Sequence, residues 1–158
     1  MRIIALTDAA SRGKTTSITI AKNEFLEDPE VNSPRELTAY FQVLSNKDFR
    51  TVIELLDGYR IAFCTGGDDA ATVTDNYQYA VQYNCQLLVT ASRISKNDSW
   101  HKMSELMTTQ GNDGLLVKAI DFYDNSPVFH DKANNYLRIS ELTAKHLVNI
   151  IKYAIARP

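Results

Sequence analysis

The chain has 158 residues, of which 44% are hydrophobic and 23% are charged, and its formal net charge is −2. Its length fits one compact domain, and its composition excludes a disordered segment and a small disulfide-dense scaffold. No long block of like charges occurs in the sequence. The sequence therefore gives no evident sign of a nucleic-acid partner, because such binding needs clustered positive charge.

The apolar stretch in the N-terminal MRIIALT is too short for the core of a signal peptide or for a membrane span. We therefore expect a cytoplasmic protein without a membrane partner. Cys64 and Cys85 lie in or beside apolar runs without a C-x-x-C spacing, which predicts buried free thiols. The three histidines lie far apart without the spacing of a zinc site, so we assign no metal to His101, His130 or His146.

The N-terminal segment predicts a strand, a loop and a helix in succession. Residues 2–7 (RIIALT) contain an uninterrupted apolar run that is typical of a short buried strand. From Thr15 to about Glu27 apolar residues recur at helical spacing, and Pro29 ends the element. The residues expected to face the core from this helix are Ile18, Ala21, Phe25 and Leu26.

The middle of the chain predicts an antiparallel hairpin. A first apolar run at 38–44 (TAYFQVL) is followed by a polar turn, SNKD, and then by apolar runs at 49–56 and 59–65. Asp57-Gly58 separates the last two runs. This dipeptide is a strong hairpin signal, because both central residues of a type I′ turn need positive φ. We therefore expect a type I′ hairpin at this point.

The remainder of the chain alternates helices and strands. The spacing predicts helices at about 75–83 and 98–109 and strands at 86–91 and 115–123. An irregular connection over 124–139 and a last helix over 141–156, with Ser140 as its N-cap, complete the chain. The residues expected to face the core from these three helices are Tyr77, Ala80, Val81, Trp100, Met103, Leu106, Met107, Leu142, Leu147, Val148, Ile151 and Ile155.

Strands that alternate with helices after a first strand–loop–helix unit predict an α/β fold. The expected architecture is a three-layer sandwich with a largely parallel sheet and one inserted antiparallel hairpin. Ligands of such sheets bind at the carboxyl ends of the strands. The loop at 8–14 follows the first strand and is therefore the first candidate site.

This loop ends in Gly13-Lys14-Thr15, as the phosphate-binding pattern G-x-x-x-x-G-K-[ST] requires. In such a loop, backbone N–H groups of the turn and of the helix N-terminus point at one anion, which the helix dipole also favours. Gly13 gives room for close approach, Lys14 would neutralise the β and γ phosphates, and the Thr15 hydroxyl would ligate Mg²⁺. The three residues alone are a weak signal, and their position between a buried strand and a helix carries most of the weight.

Residues 3–18 resemble the Walker A motif of the P-loop nucleoside triphosphate hydrolases and kinases. The resemblance implies their P-loop fold, an ATP or GTP ligand and a magnesium ion. The last three positions of the motif match Gly13, Lys14 and Thr15, and a frequent following hydroxyl matches Thr16. The nucleotide-binding residues predicted from this loop are Ser11, Arg12, Gly13, Lys14, Thr15 and Thr16.

Asp8 stands where the motif has its first glycine. A carboxylate beside a triphosphate repels it unless the side chain points away or is screened by a cation such as Mg²⁺. Asp8 could instead fix the turn through a hydrogen bond within the loop. A loop that has lost its nucleotide is the third alternative.

Further candidate residues follow two later strands. Asp68 and Asp69 come after the strand at 59–65, and Asp68 is the first choice for the magnesium side or for a general base, with Asp69 the second choice for magnesium. The alternative for this pair is to cap the next helix. Arg93 follows the strand at 86–91 and could reach a phosphate of the nucleotide or of a second substrate, although a solvated surface position is the commoner role.

Two functions remain open at this stage. The first is a small P-loop ATPase or kinase, in which Lys14 and Mg²⁺ stabilise the transferring phosphoryl group and Asp68 assists catalysis. The second is a non-catalytic, nucleotide-responsive switch or protein-interaction module, with the edge of the inserted hairpin as the surface for a protein partner. The acceptor of a kinase, which would be a second small-molecule substrate, is not indicated by any motif.

Overall fold

A computed structural model of the chain describes residues 1–8, 13–45, 47–93, 98–109, 111–118 and 132–157. The elements of these residues, in chain order, are β1 (Arg2–Asp8), α1 (Lys14–Glu27), β2 (Arg35–Glu36), β3 (Gln42–Ser45), β4 (Asp48–Glu54), β5 (Arg60–Cys64), α2 (Ala70–Gln82), β6 (Leu87–Arg93), α3 (Asp98–Thr108), β7 (Asp113–Lys118) and α4 (Lys132–Ile155). A 3₁₀ turn at Thr38–Tyr40 lies between β2 and β3. None of the helices described is long and apolar enough to cross a membrane.

The strands form one seven-stranded mixed sheet in the order β2-β4-β5-β6-β1-β7, with β3 paired beside β2 on the same edge of β4. The pairs β5–β6, β6–β1 and β1–β7 are parallel. The pairs that β4 makes with β5, β2 and β3 are antiparallel. The α/β class is confirmed, and the expected largely parallel sheet is corrected to one that is parallel on one side and antiparallel on the other.

Helices cover both faces of the sheet because successive residues of its buried strands point to opposite sides. Ile4 and Leu6 of β1 belong to a core cluster with α1 and α4. Ile3 and Ala5 of the same strand belong to a second cluster with α2 and α3. Buried on both faces, β1 therefore lies in the middle layer, which is why its sequence is an apolar run without alternation.

The hairpin between β4 and β5 is confirmed, but its predicted turn type is wrong. The strands pair from Glu54–Arg60 to Arg50–Cys64, so the loop is longer than two residues. Gly58 has φ +83° and donates its N–H to the carbonyl of Leu55, whereas Asp57 does not have positive φ. This geometry is a type I turn closed by a left-handed glycine, which also joins strands of right-handed twist.

Two helix starts differ from the prediction. Helix α2 begins at Ala70 rather than near residue 75, because Asp69 caps it by accepting the N–H of Thr72. Helix α4 begins at Lys132, inside the segment expected to be irregular, and Ser140 lies buried within it instead of capping it. Each of these helices therefore begins more than one turn before its predicted first residue.

Two predicted core residues are exposed. Val81 of α2 is 53% exposed and Leu142 of α4 is 46% exposed, so both predictions are wrong. Each has a neighbour in sequence that is fully buried in its helix, Ala80 or Thr143. Small residues at the contact allow the helix to rest closely on the sheet or on its partner, and the larger neighbour turns outward.

Strand boundaries agree with the prediction to within a few residues. Strand β6 continues two residues beyond the predicted end, to Arg93, and β4 begins at Asp48, inside the predicted polar turn. Strand β7 ends at Lys118, and the rest of its predicted range, 119–123, lies outside the described residues, as does 124–131 of the predicted connection.

Candidate functional site

The candidate site lies where β1, β5 and β6 reach their carboxyl ends. These strands are parallel neighbours, so the segments that follow them meet at one edge of the sheet. The backbone of Asp8 pairs with Arg93 in the register of β1 and β6. Helix α1 begins at Lys14, and its N-terminus points at the same edge.

Gly13 forms the junction between the loop and α1. Its φ of +79° is left-handed, and its carbonyl accepts the N–H of Ser17 over 2.8 Å to open the helix. A Cβ at this position would lie 2.7 Å from Ser140 Oγ of α4. Backbone conformation and packing therefore both require glycine here.

Four other predicted nucleotide-binding residues lie on either side of this junction. Lys14 is buried, with 6% of its surface exposed. Thr16 is exposed on the first turn of α1. Ser11 and Arg12 lie outside the described residues, so their predicted roles stay predictions.

Thr15 contacts a carboxylate that the sequence did not single out. Its Oγ1 donates to Asp48 Oδ1 over 3.0 Å, although the two residues lie on different elements. The same Oδ1 accepts from Thr65 Oγ1 at 3.0 Å, and Thr65 Oγ1 in turn accepts the backbone N–H of Phe49 at 2.9 Å. Asp48 is thus held at the N-terminus of α1 by two hydroxyl groups.

Asp48 reaches the site because β4 runs antiparallel to β5. The start of β4 therefore lies beside the end of β5, and extension of the Arg50–Cys64 register places Asp48 opposite Gly66. A Cβ on Gly66 would lie 3.7 Å from Asp48 Oδ2, which agrees with this placement. Counting outward from the predicted turn at Asp57-Gly58 would have found this acidic residue.

Asp68 and Arg93 lie in contact at this edge of the sheet. Arg93 Nε donates to Asp68 Oδ1 over 3.0 Å. This hydrogen bond, with the charges of Arg93 and Lys14, holds the pKa of Asp68 below its ordinary value and raises the pKa of Arg93. Asp68 is consequently ionised at neutral pH, and Lys14 lies within its electrostatic reach.

Asp69 has the capping role that was its alternative. Its Oδ1 accepts the N–H of Thr72 over 2.7 Å at the N-terminus of α2. A carboxylate in this position also interacts favourably with the helix dipole. The other assignment of Asp69, as a magnesium ligand, stays a prediction.

Gly67 brings the loop after β5 into direct contact with β6. A Cβ at Gly67 would lie 2.0 Å from the carbonyl oxygen of Ala91, a distance that no side chain tolerates. The Gly67 carbonyl accepts the hydroxyl of Ser99, a fully buried residue of α3, over 2.6 Å. The loop that carries Asp68 is thus fixed by close backbone packing as well as by hydrogen bonds.

The donor set of this edge suits a hard divalent cation bound together with phosphates. Mg²⁺ takes oxygen ligands and is usually held by one or two carboxylates plus phosphate oxygens and water. Asp48 and the Thr15 hydroxyl offer such oxygens next to the helix N-terminus. Within the described residues, no group of three or more His, Cys, Asp or Glu side chains is arranged to hold a metal ion.

A pocket lies elsewhere, at the other end of β4. It has a volume of about 380 Å³ and is lined near the opposite end of β4 by residues that include Arg35, Tyr40, Glu54 and Arg60. Its charged groups are joined in ion pairs, with Glu54 2.9 Å from Arg35 and 2.7 Å from Arg60. These ion pairs explain the charged residues of the pocket as structural contacts between strands.

Comparison with protein-family models, with curated proteins and with solved structures found no match for this chain. The function is therefore inferred from the geometry of the site.

Proposed function

We propose that this protein binds a nucleoside triphosphate, ATP or GTP, together with Mg²⁺ at the segment that joins β1 to α1. The observation that carries the proposal is the 3.0 Å hydrogen bond between Thr15 and Asp48 directly after Gly13-Lys14. A threonine that opens a helix and meets a carboxylate from another strand provides oxygen ligands where a phosphate-bound Mg²⁺ would lie. The P-loop resemblance of the sequence is in agreement with this proposal.

The residues of the site would bind different parts of the Mg–nucleotide. Backbone N–H groups at the start of α1 and the Lys14 ammonium would bind the phosphates, because both present positive charge at one point. Thr15 and Asp48 would hold Mg²⁺, which supplies charge neutralisation between phosphate oxygens. Arg93 would contact a phosphate from the neighbouring strand, in exchange for part of its contact with Asp68.

Hydrolysis or phosphoryl transfer is the catalytic extension of this proposal. Its support is the ionised carboxylate of Asp68, which could accept a proton from water or from an acceptor hydroxyl. The low pKa makes Asp68 a weak base, so Lys14 and Mg²⁺ would supply most of the transition-state stabilisation.

A thermal-shift titration with Mg-ATP and with Mg-GTP tests the binding. We expect a ligand at a hundred times its Kd to stabilise the wild type by about 2.7 kcal/mol, or roughly 5 to 10 °C. Lys14→Ala should lose this shift. Lys145→Ala removes the same charge from an exposed position on α4 and should keep it.

Two outcomes would contradict the proposal. A wild type without any shift in either nucleotide has no such site. Equal shifts in the wild type and in Lys14→Ala would place the nucleotide away from this loop.

A nucleotide-responsive interaction module is the second candidate function. Strand β3 pairs with β4 beside Asp48 and exposes the apolar side chains of Val43, at 74%, and Leu44, at 36%. Phe41, directly before the strand, is 45% exposed. A shift of Asp48 on nucleotide binding would therefore move β3, an exposed strand that could bind a protein partner. Phosphate release with Mg²⁺ separates the candidates, because turnover that Lys14→Ala abolishes supports the enzyme, and binding without turnover supports the module.

A further inference from the structure

Asn76 lies at the centre of a buried hydrogen-bond network behind the candidate site. It belongs to α2 and is fully buried at 0% exposure. Its Nδ2 donates to the carbonyl of Gly66 at 2.7 Å and to Thr90 Oγ1 at 3.0 Å, and its Oδ1 accepts from Arg50 Nε at 2.7 Å. One amide thus connects the loop after β5, the strand β6 and the strand β4.

Two of these contacts lead to the carboxylates of the site. Gly66 stands two residues before Asp68 in the loop after β5. Arg50 stands two residues after Asp48 on β4, and residues two apart on a strand share one face of the sheet. Asn76 is therefore linked through the backbone to both Asp48 and Asp68, although it belongs to neither segment.

The chemistry of the position argues against a role in packing alone. A buried amide costs free energy unless its donors and acceptor are all bonded, and an apolar side chain fills such a place without that cost. Here both amide protons and the oxygen have partners. Satisfied polar networks of this kind fix one geometry, because any shift leaves a buried group unpaired.

We propose that Asn76 is a positioning residue for the Mg–nucleotide site, in that it sets the position of the Asp68 loop relative to the strand that carries Asp48. The proposal rests on the proposed function. It predicts that loss of the bond to Gly66, which lies opposite Asp48, displaces the Asp48 carboxylate and weakens Mg²⁺ binding in the nucleotide complex by about tenfold, as loss of groups that orient metal ligands does.

The test compares Asn76→Asp with Thr90→Val. Asn76→Asp keeps an oxygen for Arg50 but replaces the amide donor to the Gly66 carbonyl by an oxygen. Thr90→Val removes the other acceptor of Asn76, keeps the shape of the side chain and leaves both links to the site intact. It is therefore the matched control for damage to the buried network, which should lower the thermal midpoint of both variants.

The measurement is a Mg²⁺ titration of the binding of a fluorescent ATP analogue, well below the unfolding temperature of each variant. We expect Asn76→Asp to need about ten times more Mg²⁺ than the wild type and Thr90→Val to stay within about twofold. Amide hydrogen exchange should be faster at residues 66–69 in Asn76→Asp and unchanged there in Thr90→Val. A purely structural role moves the thermal midpoint but neither of these quantities.

The outcomes separate this proposal from the proposed function. If the wild type binds the analogue and both variants have the same Mg²⁺ requirement, the positioning role is overturned and the nucleotide site stands. If the wild type does not bind the analogue, both proposals fail together. If Asn76→Asp does not fold, Arg50→Lys is measured in the same way. This variant keeps the positive charge on β4 but loses the hydrogen bond from Arg50 Nε to Asn76. An unchanged Mg²⁺ requirement in Arg50→Lys would overturn the proposal.

Discussion

The two ends of strand β4 each carry an acidic residue, and their surroundings differ. At the end of the strand, Glu54 accepts from the guanidinium groups of Arg35 and Arg60. At its start, Asp48 accepts from the hydroxyl groups of Thr15 and Thr65. Among the ion pairs of the described residues, Glu54 takes part in two and Asp48 in none.

The difference separates a structural acidic residue from one suited to a ligand. Two cations compensate the charge of Glu54, and its pKa is lowered mainly by the hydrogen bond from Arg60. Hydroxyl groups orient a carboxylate without neutralising it, and a threonine hydroxyl can itself turn its oxygen toward a metal ion. A pocket lies near Glu54, yet the chemistry of the Asp48 end suits Mg²⁺ better.

Exchange of each carboxylate for its amide tests the comparison most strongly. We expect Asp48→Asn to weaken Mg²⁺-dependent nucleotide binding by about a hundredfold, because a charged oxygen ligand is lost. Glu54→Gln, the matched change at the other end of β4, should leave binding unchanged. Isothermal titration of Mg-ATP into both variants measures this, and equal affinities in the two would contradict the comparison.

Substitution of the glycines beside the two ends of β5 tests how tightly the backbone is packed at each end. Gly67→Ala places a Cβ against the Ala91 backbone at the site, and we expect a loss of about 1 to 3 kcal/mol in unfolding free energy. Gly58→Ala, in the hairpin turn beside Glu54, meets open space and should cost about 1 to 2 kcal/mol for its left-handed φ alone. Urea denaturation measures both.

The two glycine variants also differ in their expected effect on function. Gly67→Ala should weaken nucleotide binding, because the loop of Asp68 must shift away from β6, whereas Gly58→Ala should not. A Gly67→Ala variant that binds Mg-ATP as the wild type does would remove this loop from the site.

Asp68→Asn should have a smaller effect on binding than Asp48→Asn. The Asp68 carboxylate is exposed and is engaged with Arg93, and an exposed ion pair contributes about 1 kcal/mol or less. We therefore expect a change in Mg-ATP affinity of about fivefold or less. A loss as large as that of Asp48→Asn, in the same titration, would instead assign the metal to Asp68.

The pH dependence of stability should show the smallest effect. The folded-state pKa of Glu54 is below its ordinary value of 4.5, so its ion pairs stabilise the protein above that pH and are lost as the pH falls through the folded-state pKa. The wild type should therefore unfold at a higher temperature than Glu54→Gln at pH 7, and this difference should shrink below about pH 4.5. A difference that is constant from pH 7 to pH 3 would contradict the role of the ion pairs.

The sequence was most informative where hydrophobic runs and loop chemistry act locally. The apolar run of β1 and the helical spacing after Gly13 predicted the first strand and helix closely, because each depends on neighbours in sequence. The α2 boundary was missed although Asp69 is a strong N-cap, because the β-branched residues Thr72, Val73 and Thr74 weaken the helical signal directly after it.

Asp48 was missed for a different reason. It lies within a polar turn of the sequence, and its contact with Thr15 spans 33 positions of the chain. Only strand pairing brings the two together, so the usable signal was the register of the hairpin predicted at Asp57-Gly58 and not a motif around Asp48. Asn76 was missed because a polar residue on a predicted helix is expected to face solvent unless its partners on other strands are known.

A crystal structure with Mg²⁺ and a non-hydrolysable ATP analogue tests the central claim most directly. We expect a cation about 2.0 to 2.1 Å from Thr15 Oγ1, with Asp48 bound to it directly or through one water molecule, and phosphates at Lys14. A cation distant from both Thr15 and Asp48, or a nucleotide in the pocket beside Arg35 and Tyr40, would contradict it.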